Sequence, residues 1–164
     1  MAINRLQKFS EDGTVLEGVF NSAIFSNECD NELSIYLEDG SLIPYAEKCV
    51  EHFNSLSNDM VNTICENIVK CCNLFGGEVE DYVLPQLDTP LDVLNHCWFV
   101  TMLVEVPQGE EVAYVINGEG DWGEIITFVV RGDRLLYLGR DDISPWEDDH
   151  YYAILDDNCL YLED

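Results

Sequence analysis

Four short apolar segments in the second half of the chain restrict its fold more than any other feature. They are dense in Val, Ile, Leu, Phe and Tyr, and each is short enough for a β-strand. Gly132-Asp133 separates the last two segments and suits a two-residue hairpin turn, because glycine tolerates positive φ. The sequence therefore predicts an antiparallel β-meander over residues 98–106, 112–116, 125–130 and 135–138.

Two amphipathic helices are predicted before this meander. Residues 44–56 carry apolar side chains at helical spacing after Pro44, which suits a first helical turn. Residues 57–75 begin with Ser57, a good N-cap, and repeat apolar residues every three or four positions up to two glycines. We expect the two helices to form an αα-hairpin packed on one face of the sheet.

The rest of the chain is predicted to add shorter elements to the same core. At 164 residues with 47% hydrophobic content, the sequence suits one compact α+β domain spanning residues 1–164. The earlier strands are expected to form two hairpin arms that extend or face the sheet. The predicted short elements are strands at 14–20, 33–37, 151–155 and 159–162, and a helical turn at 91–94.

The charge of the chain is its most unusual property. It has 33 Asp and Glu against seven Lys and Arg, a formal net charge of -26. This negative charge repels nucleic acid and anionic membrane surfaces, which are therefore poor partners. It attracts a basic protein, which is the favoured partner. The alternative interpretation, that the acidity serves solubility alone, stays open.

Cysteine usage and the N-terminus predict a cytoplasmic protein. The seven cysteines form no CxxC pair and most lie in apolar surroundings, which is typical of buried thiols in a reducing compartment. The first residues lack the apolar region of a signal peptide, and no run approaches the ~18 apolar residues of a membrane helix.

The sequence contains no recognisable catalytic signature. The three histidines lie in unrelated contexts, no nucleophile elbow is present, and no cofactor motif is found. Loop 141–150 combines Asp141, Asp142, Asp148 and Asp149 with His150, and these residue types bind divalent ions. Their spacing matches no dedicated metal motif, so we predict no metal or cofactor site.

One loop carries a family resemblance. Asp121-Trp122-Gly123-Glu124, followed by the strand at 125–130, a Gly-Asp turn and Leu-Leu-Tyr-Leu-Gly at 135–139, resembles an uncharacterised bacterial domain family. That family looks akin to the immunity proteins of polymorphic toxin systems, which are small acidic cytosolic proteins that bind and block a toxin domain. The chain departs from the pattern after the tryptophan, where a histidine and a glycine are missing, so no catalytic residue is carried over.

Three functions are compatible with these observations. The first is a non-enzymatic acidic cytosolic binding protein, for which the resemblance implies an immunity-type inhibitor of a basic toxin. The alternatives are a divalent-metal-dependent hydrolase using loop 141–150 and a DNA mimic whose carboxylates imitate phosphates. We expect Trp122 to anchor its loop against the sheet more than to touch a ligand. The candidate binding residues are Asp121, Trp122, Glu124, Trp146, Asp148 and Asp149.

Overall fold

The computed structural model describes residues 2–9, 14–22, 24–25, 31–76 and 82–163. Seven strands form one sheet in which the spatial order equals the sequence order. The fold is therefore of the α+β class, as predicted. The strands are β1 Asn4–Lys8, β2 Leu16–Asn21, β3 Glu32–Leu37, β4 Cys97–Val104, β5 Ala113–Gly120, β6 Ile125–Arg131 and β7 Arg134–Gly139.

Strands β4 to β7 form the predicted antiparallel meander. The β6–β7 hairpin turns through Gly132 and Asp133, and Gly132 has a φ of 59°, which only glycine adopts without strain. Strand β5 continues to Gly120, so the predicted end of this strand at residue 116 is wrong, and residues 117–120 belong to the strand. Those residues pair with β4 and β6, and only 121–124 form the connection.

The N-terminal strands extend the sheet. Strands β1, β2 and β3 pair antiparallel in sequence, and β1 was not predicted. Strand β3 then pairs with β4 in parallel, from Ser34 opposite Thr101 to Leu37 opposite Val104. A parallel pair requires a long crossover connection, and the helices lie within it.

Two helices occupy this crossover, close to their predicted positions: α1 Ile43–Asn54 and α2 Asn58–Phe75. Pro44 lies in the first turn of α1, and the Ser57 side chain caps α2 by accepting a hydrogen bond from Met60 N at 3.1 Å. Both helices bury side chains in the same hydrophobic core as one face of the sheet. Their mutual arrangement as an αα-hairpin stays a prediction.

A smaller cluster covers part of the opposite face of the sheet. Val115, Val129 and Tyr137 point to this side and pack with Ile143 and Tyr152. These two residues belong to the C-terminal segment, residues 140–163, which follows β7. The C-terminal segment thus folds back across the last three strands, and it is held there by apolar burial.

The predicted C-terminal strands are wrong. Residues 149–153 form the short helix α3 Asp149–Ala153, and a 3-10 helix covers Cys159–Tyr161. Both begin at a capping side chain: Asp148 accepts from His150 N at 2.9 Å, and Asn158 accepts from Leu160 N at 3.2 Å. These local caps outweigh the apolar pattern that suggested strands.

The remaining connector contains the predicted helical turn, within the 3-10 helix Pro90–Asn95. Six cysteines are buried free thiols, and Cys29 lies outside the described residues. In the described ranges, no helix combines the length and apolar character needed to cross a membrane.

Candidate protein-binding groove

The six predicted binding residues lie at two ends of β6. Asp121, Trp122 and Glu124 belong to the connection that enters the strand. Trp146 and Asp149 contact Arg131, at the end of the strand, and Asp148 lies between them in sequence. A strand of seven residues spans roughly 20 Å, so the structure does not bring the six residues into one compact site.

Trp122 is a buried anchor, as predicted. Its side chain is 0% exposed, and a Cβ atom at Gly120 would collide with its indole ring. Tyr82 packs against it with ring centroids 6.4 Å apart. Trp122 therefore presents no surface to a partner, and any effect on binding would act through the conformation of its loop.

The two acids beside Trp122 already have partners within the chain. Asp121 Oδ2 lies 3.4 Å from His96 Nδ1, and Glu124 Oε1 lies 3.2 Å from Arg140 Nη1. Arg140 also pairs with Asp157 and lies 4.1 Å above the Phe75 ring. These contacts tie the β5–β6 connection to α2 and to the C-terminal segment.

Asp149 is shared by two arginines. Its Oδ1 accepts from Arg131 Nη2 at 2.5 Å and its Oδ2 from Arg134 Nη1 at 2.6 Å. The hydrogen bond from Arg134 is the main reason why the pKa of Asp149 lies below its ordinary value, and Arg131 adds to the effect. Asp148 caps α3, so neither acid is free of a structural role.

Arg131 organises the segment before α3. Its side chain is only 10% exposed, and Nη1 donates to Pro145 O at 3.1 Å and to Glu147 O at 3.0 Å. Its guanidinium lies 5.7 Å from the centre of the Trp146 ring. One buried cation therefore fixes Trp146 and Asp149 together.

Loop 141–150 does not form a metal centre in the described part of the chain. No group of three His, Cys, Asp or Glu side chains converges there or elsewhere among the described residues. The oxygens of Asp149, which would be its best ligand, face two guanidinium groups. The described geometry therefore gives the hydrolase interpretation no support.

A groove lies beside the Arg134–Asp149 pair. It is a cavity of about 520 Å³ between the start of α2, strand β7 and the C-terminal helical segments. A second cavity of about 340 Å³ shares three of its lining residues and continues to His52 at the end of α1. The shared residues are Ser57, Met60 and Asp133.

Two carboxylates face this groove without a cation. The side chains of Asp59 and Asp133 form no hydrogen bond or ion pair with any described residue, and Arg134 is already engaged by Asp149. Tyr161 lines the groove and is 57% exposed. The groove thus combines uncompensated negative charge with an aromatic surface, which suits a cationic side chain.

Sequence reasoning did not find Asp59 and Asp133 as a pair. Each has a sufficient local explanation, Asp59 in the first turn of a helix and Asp133 in a hairpin turn. Their convergence depends on the packing of α2 beside β7, for which no local pattern gives a signal.

One comparison with known proteins gives a match. The model of a domain family of unknown function, DUF6985, matches residues 6–145. Comparisons with curated proteins and with solved structures found no match. The matched region contains the whole sheet from the second half of β1 and ends before α3, so the C-terminal wall of the groove lies beyond it.

Proposed function

The chain belongs to the DUF6985 family, whose function is unknown, and we propose that it is a non-enzymatic acidic binding protein for a basic protein partner. The partner docks over the groove between α2, β7 and the C-terminal segment.

The observation that carries the proposal is the pair of uncompensated carboxylates in the groove. Covering Asp59 and Asp133 with a neutral surface would remove water from two charges without replacing its hydrogen bonds, which is costly. A Lys or Arg side chain of a partner would offset that cost. The groove therefore discriminates for a basic surface.

The overall charge supports the same choice of partner. A net charge of -26 attracts a basic protein over a distance and repels nucleic acid and acidic proteins. Tyr151 and Ile154, which lie close in sequence to the groove-lining Tyr152, are 42% and 61% exposed. Apolar groups of this kind supply the short-range contacts that hold a complex after its encounter.

The sequence resemblance extends the proposal to a cytoplasmic immunity-type inhibitor that blocks a basic toxin domain. In this form, Asp149, which lines the groove, belongs to the interface together with Trp146 and Asp148, which precede it in sequence. Asp121 and Glu124 at the other end of β6 contribute only to the long-range field.

The test is the capture of partners from native cells with the full chain, followed by binding kinetics of two matched variants. Asp59→Asn/Asp133→Asn neutralises the groove, and Glu66→Gln/Glu119→Gln removes the same charge at exposed positions away from it. We expect a basic partner that binds the first variant at least ~10-fold more weakly and the second nearly as well as the wild type.

Other outcomes would contradict the proposal in distinct ways. A neutral or acidic partner with salt-independent kinetics would leave the acidity as a solubility trait. A captured nucleic-acid-binding protein that duplex DNA displaces would favour the DNA mimic. Equal losses in the two variants would move the interface away from the groove.

A further inference from the structure

A separate cavity of about 350 Å³ lies on the face of the sheet opposite the helices, beside the part that the C-terminal segment covers. A row of polar side chains from three neighbouring strands lines it: Thr101 in β4, Asn117 in β5 and Thr127 in β6. Asn117 is paired with both threonines in the sheet, so the three side chains lie on the same face. The cavity shares no lining residue with the groove.

The side chains of this polar row are hydrogen-bonded in series. Thr127 Oγ1 donates to Asn117 Oδ1 at 2.9 Å, and Asn117 Nδ2 donates to Thr101 Oγ1 at 3.4 Å. Two hydroxyls and one amide carry four hydrogens in total, and these two bonds use two of them. The second amide hydrogen and the hydroxyl hydrogen of Thr101 have no acceptor among the described residues. The polar row therefore keeps two donors for a ligand.

The polar row is unusual for the middle of a sheet. Asn is disfavoured in strands, and the side chain of Thr127 is polar although the residue is only 2% exposed. The neighbouring row on the same face consists of Leu103, Val115 and Val129, which are all apolar. Apolar side chains would serve packing at least as well at the three polar positions. These positions are therefore suited to recognition.

The rim of the cavity adds acceptors and apolar surface. Glu119 and Asp142 are exposed, and their carboxylates form no hydrogen bond or ion pair with any residue that the structure describes. Val100 and Ile125 are exposed apolar residues that line the same cavity. One volume thus offers hydrogen-bond donors, hydrogen-bond acceptors and an apolar edge.

We propose that this cavity binds a single neutral sugar ring. Each sugar hydroxyl both donates and accepts, so it can donate to Glu119 or Asp142 and accept from the free amide hydrogen of Asn117. The C–H groups of the ring pack on the apolar edge. The cavity volume is near the lower end of the ~300–1,000 Å³ that small-molecule sites occupy, which suits a ligand of one ring.

Charge argues against the other classes of small ligand. The two rim carboxylates and the net charge of -26 repel an anion. Arg140 also lines the cavity, but its guanidinium is already paired with Glu124 and Asp157. A cation would be attracted to the rim, yet it would meet the two free donor hydrogens of the polar row in place of acceptors. A neutral ligand with hydroxyl groups satisfies both parts of the cavity.

The test is an NMR titration of the isotope-labelled full chain with three neutral sugars: methyl glucoside, methyl galactoside and methyl mannoside. We expect at least one to bind saturably with a dissociation constant of about 1 mM. It should shift the side-chain amide signal of Asn117 and the backbone signals of Thr101 and Thr127. Glucuronate, which has the same kind of ring with a carboxylate, should bind at least ~10-fold more weakly. Absence of saturable binding by all three glycosides, or shifts centred away from the cavity, would overturn the proposal.

Variants separate the polar row from other hydroxyl groups and from the groove. Thr101→Val removes one donor at nearly constant shape and should weaken binding of the sugar by about 5-fold. Thr63→Val is the control, because the Thr63 hydroxyl donates to Asp59 O within α2 and lies outside this cavity. Asp59→Asn/Asp133→Asn should leave sugar binding unchanged, so this proposal can fail independently of the protein-binding groove. Equal weakening by the two valine variants would contradict it, and if Thr101→Val does not fold, the comparison with glucuronate decides.

Discussion

The side chain of Asn158 occupies the place beside Leu138 that the backbone of a further strand would take. Asn158 Oδ1 accepts a hydrogen bond from Leu138 N at 3.2 Å. Its Nδ2 donates to Leu136 O at 3.0 Å and to Tyr152 O at 3.1 Å, and the side chain is 0% exposed. One amide thus closes part of the β7 edge and attaches the C-terminal segment to it.

We predict that Asn158→Ala destabilises the fold by about 2–4 kcal/mol, because three buried backbone groups lose their partner. Urea unfolding measures the change. Asn67→Ala is the control, since Asn67 Nδ2 donates only to Thr63 O within α2, and its loss should stay below about 1 kcal/mol. Equal losses in the two variants would show that the edge contact adds nothing.

Trp122→Ala should lower stability by about 3–5 kcal/mol, because it empties a fully buried site beside Gly120 and Tyr82. Trp122→Phe should recover part of this loss by refilling the cavity. Thermal unfolding measures both. Unchanged stability of the alanine variant, with partner binding lost, would assign the indole to recognition.

Asp149 should make stability depend on pH in the acidic range. The pKa of Asp149 is below its ordinary value in the folded chain. The carboxylate therefore contributes its full stabilisation above about pH 4, the pKa of Asp in the unfolded chain, and loses it as pH falls through the pKa of the folded state. Asp149→Asn removes this contribution. The stability difference between wild type and variant, from urea unfolding, should therefore shrink from pH 6 to about pH 2.5. A difference that stays constant with pH would mean that the charge of Asp149 is not involved.

Partner association should slow as salt rises. The Debye length shortens from ~30 Å at 0.01 M to ~8 Å at 0.15 M, so the attraction of a chain with 33 acidic residues acts over a shorter distance. The dissociation rate should change less, because close contacts such as those of Tyr161 are screened weakly. Association and dissociation rates, measured with the partner on a sensor surface at the two salt concentrations, decide this. Equal changes in both rates would argue against long-range steering.

Much of the fold was predictable because its signals are local. Ser57 starts α2 through its own hydrogen bond, and Gly132 adopts the positive φ of a tight hairpin. The alternation and turn spacing of the last four strands determine their pairing with sequence neighbours. Such features need only a few adjacent residues.

The parts that sequence reasoning missed depend on distant residues. Strand β3 pairs in parallel with β4 although α1 and α2 lie between the two strands in sequence. Tyr151 and Tyr152 resemble strand residues, yet the cap at Asp148 makes them helical. The pairing of Asp149 with Arg131 and Arg134 was not predicted, because the two arginines lie on β6 and β7, where no spacing rule connects them with α3.

The parallel seam between β3 and β4 has a consequence for how the chain folds. In every other pair of adjacent strands, the two strands are antiparallel and joined by a short connection. These pairs can form early, without closing a long loop. The pairing of β3 with β4 forms only when the crossover has brought these two distant strands together, which carries the entropic cost of closing a long loop. The three-stranded and four-stranded meanders should therefore nucleate as separate units, and their joining should limit the folding rate.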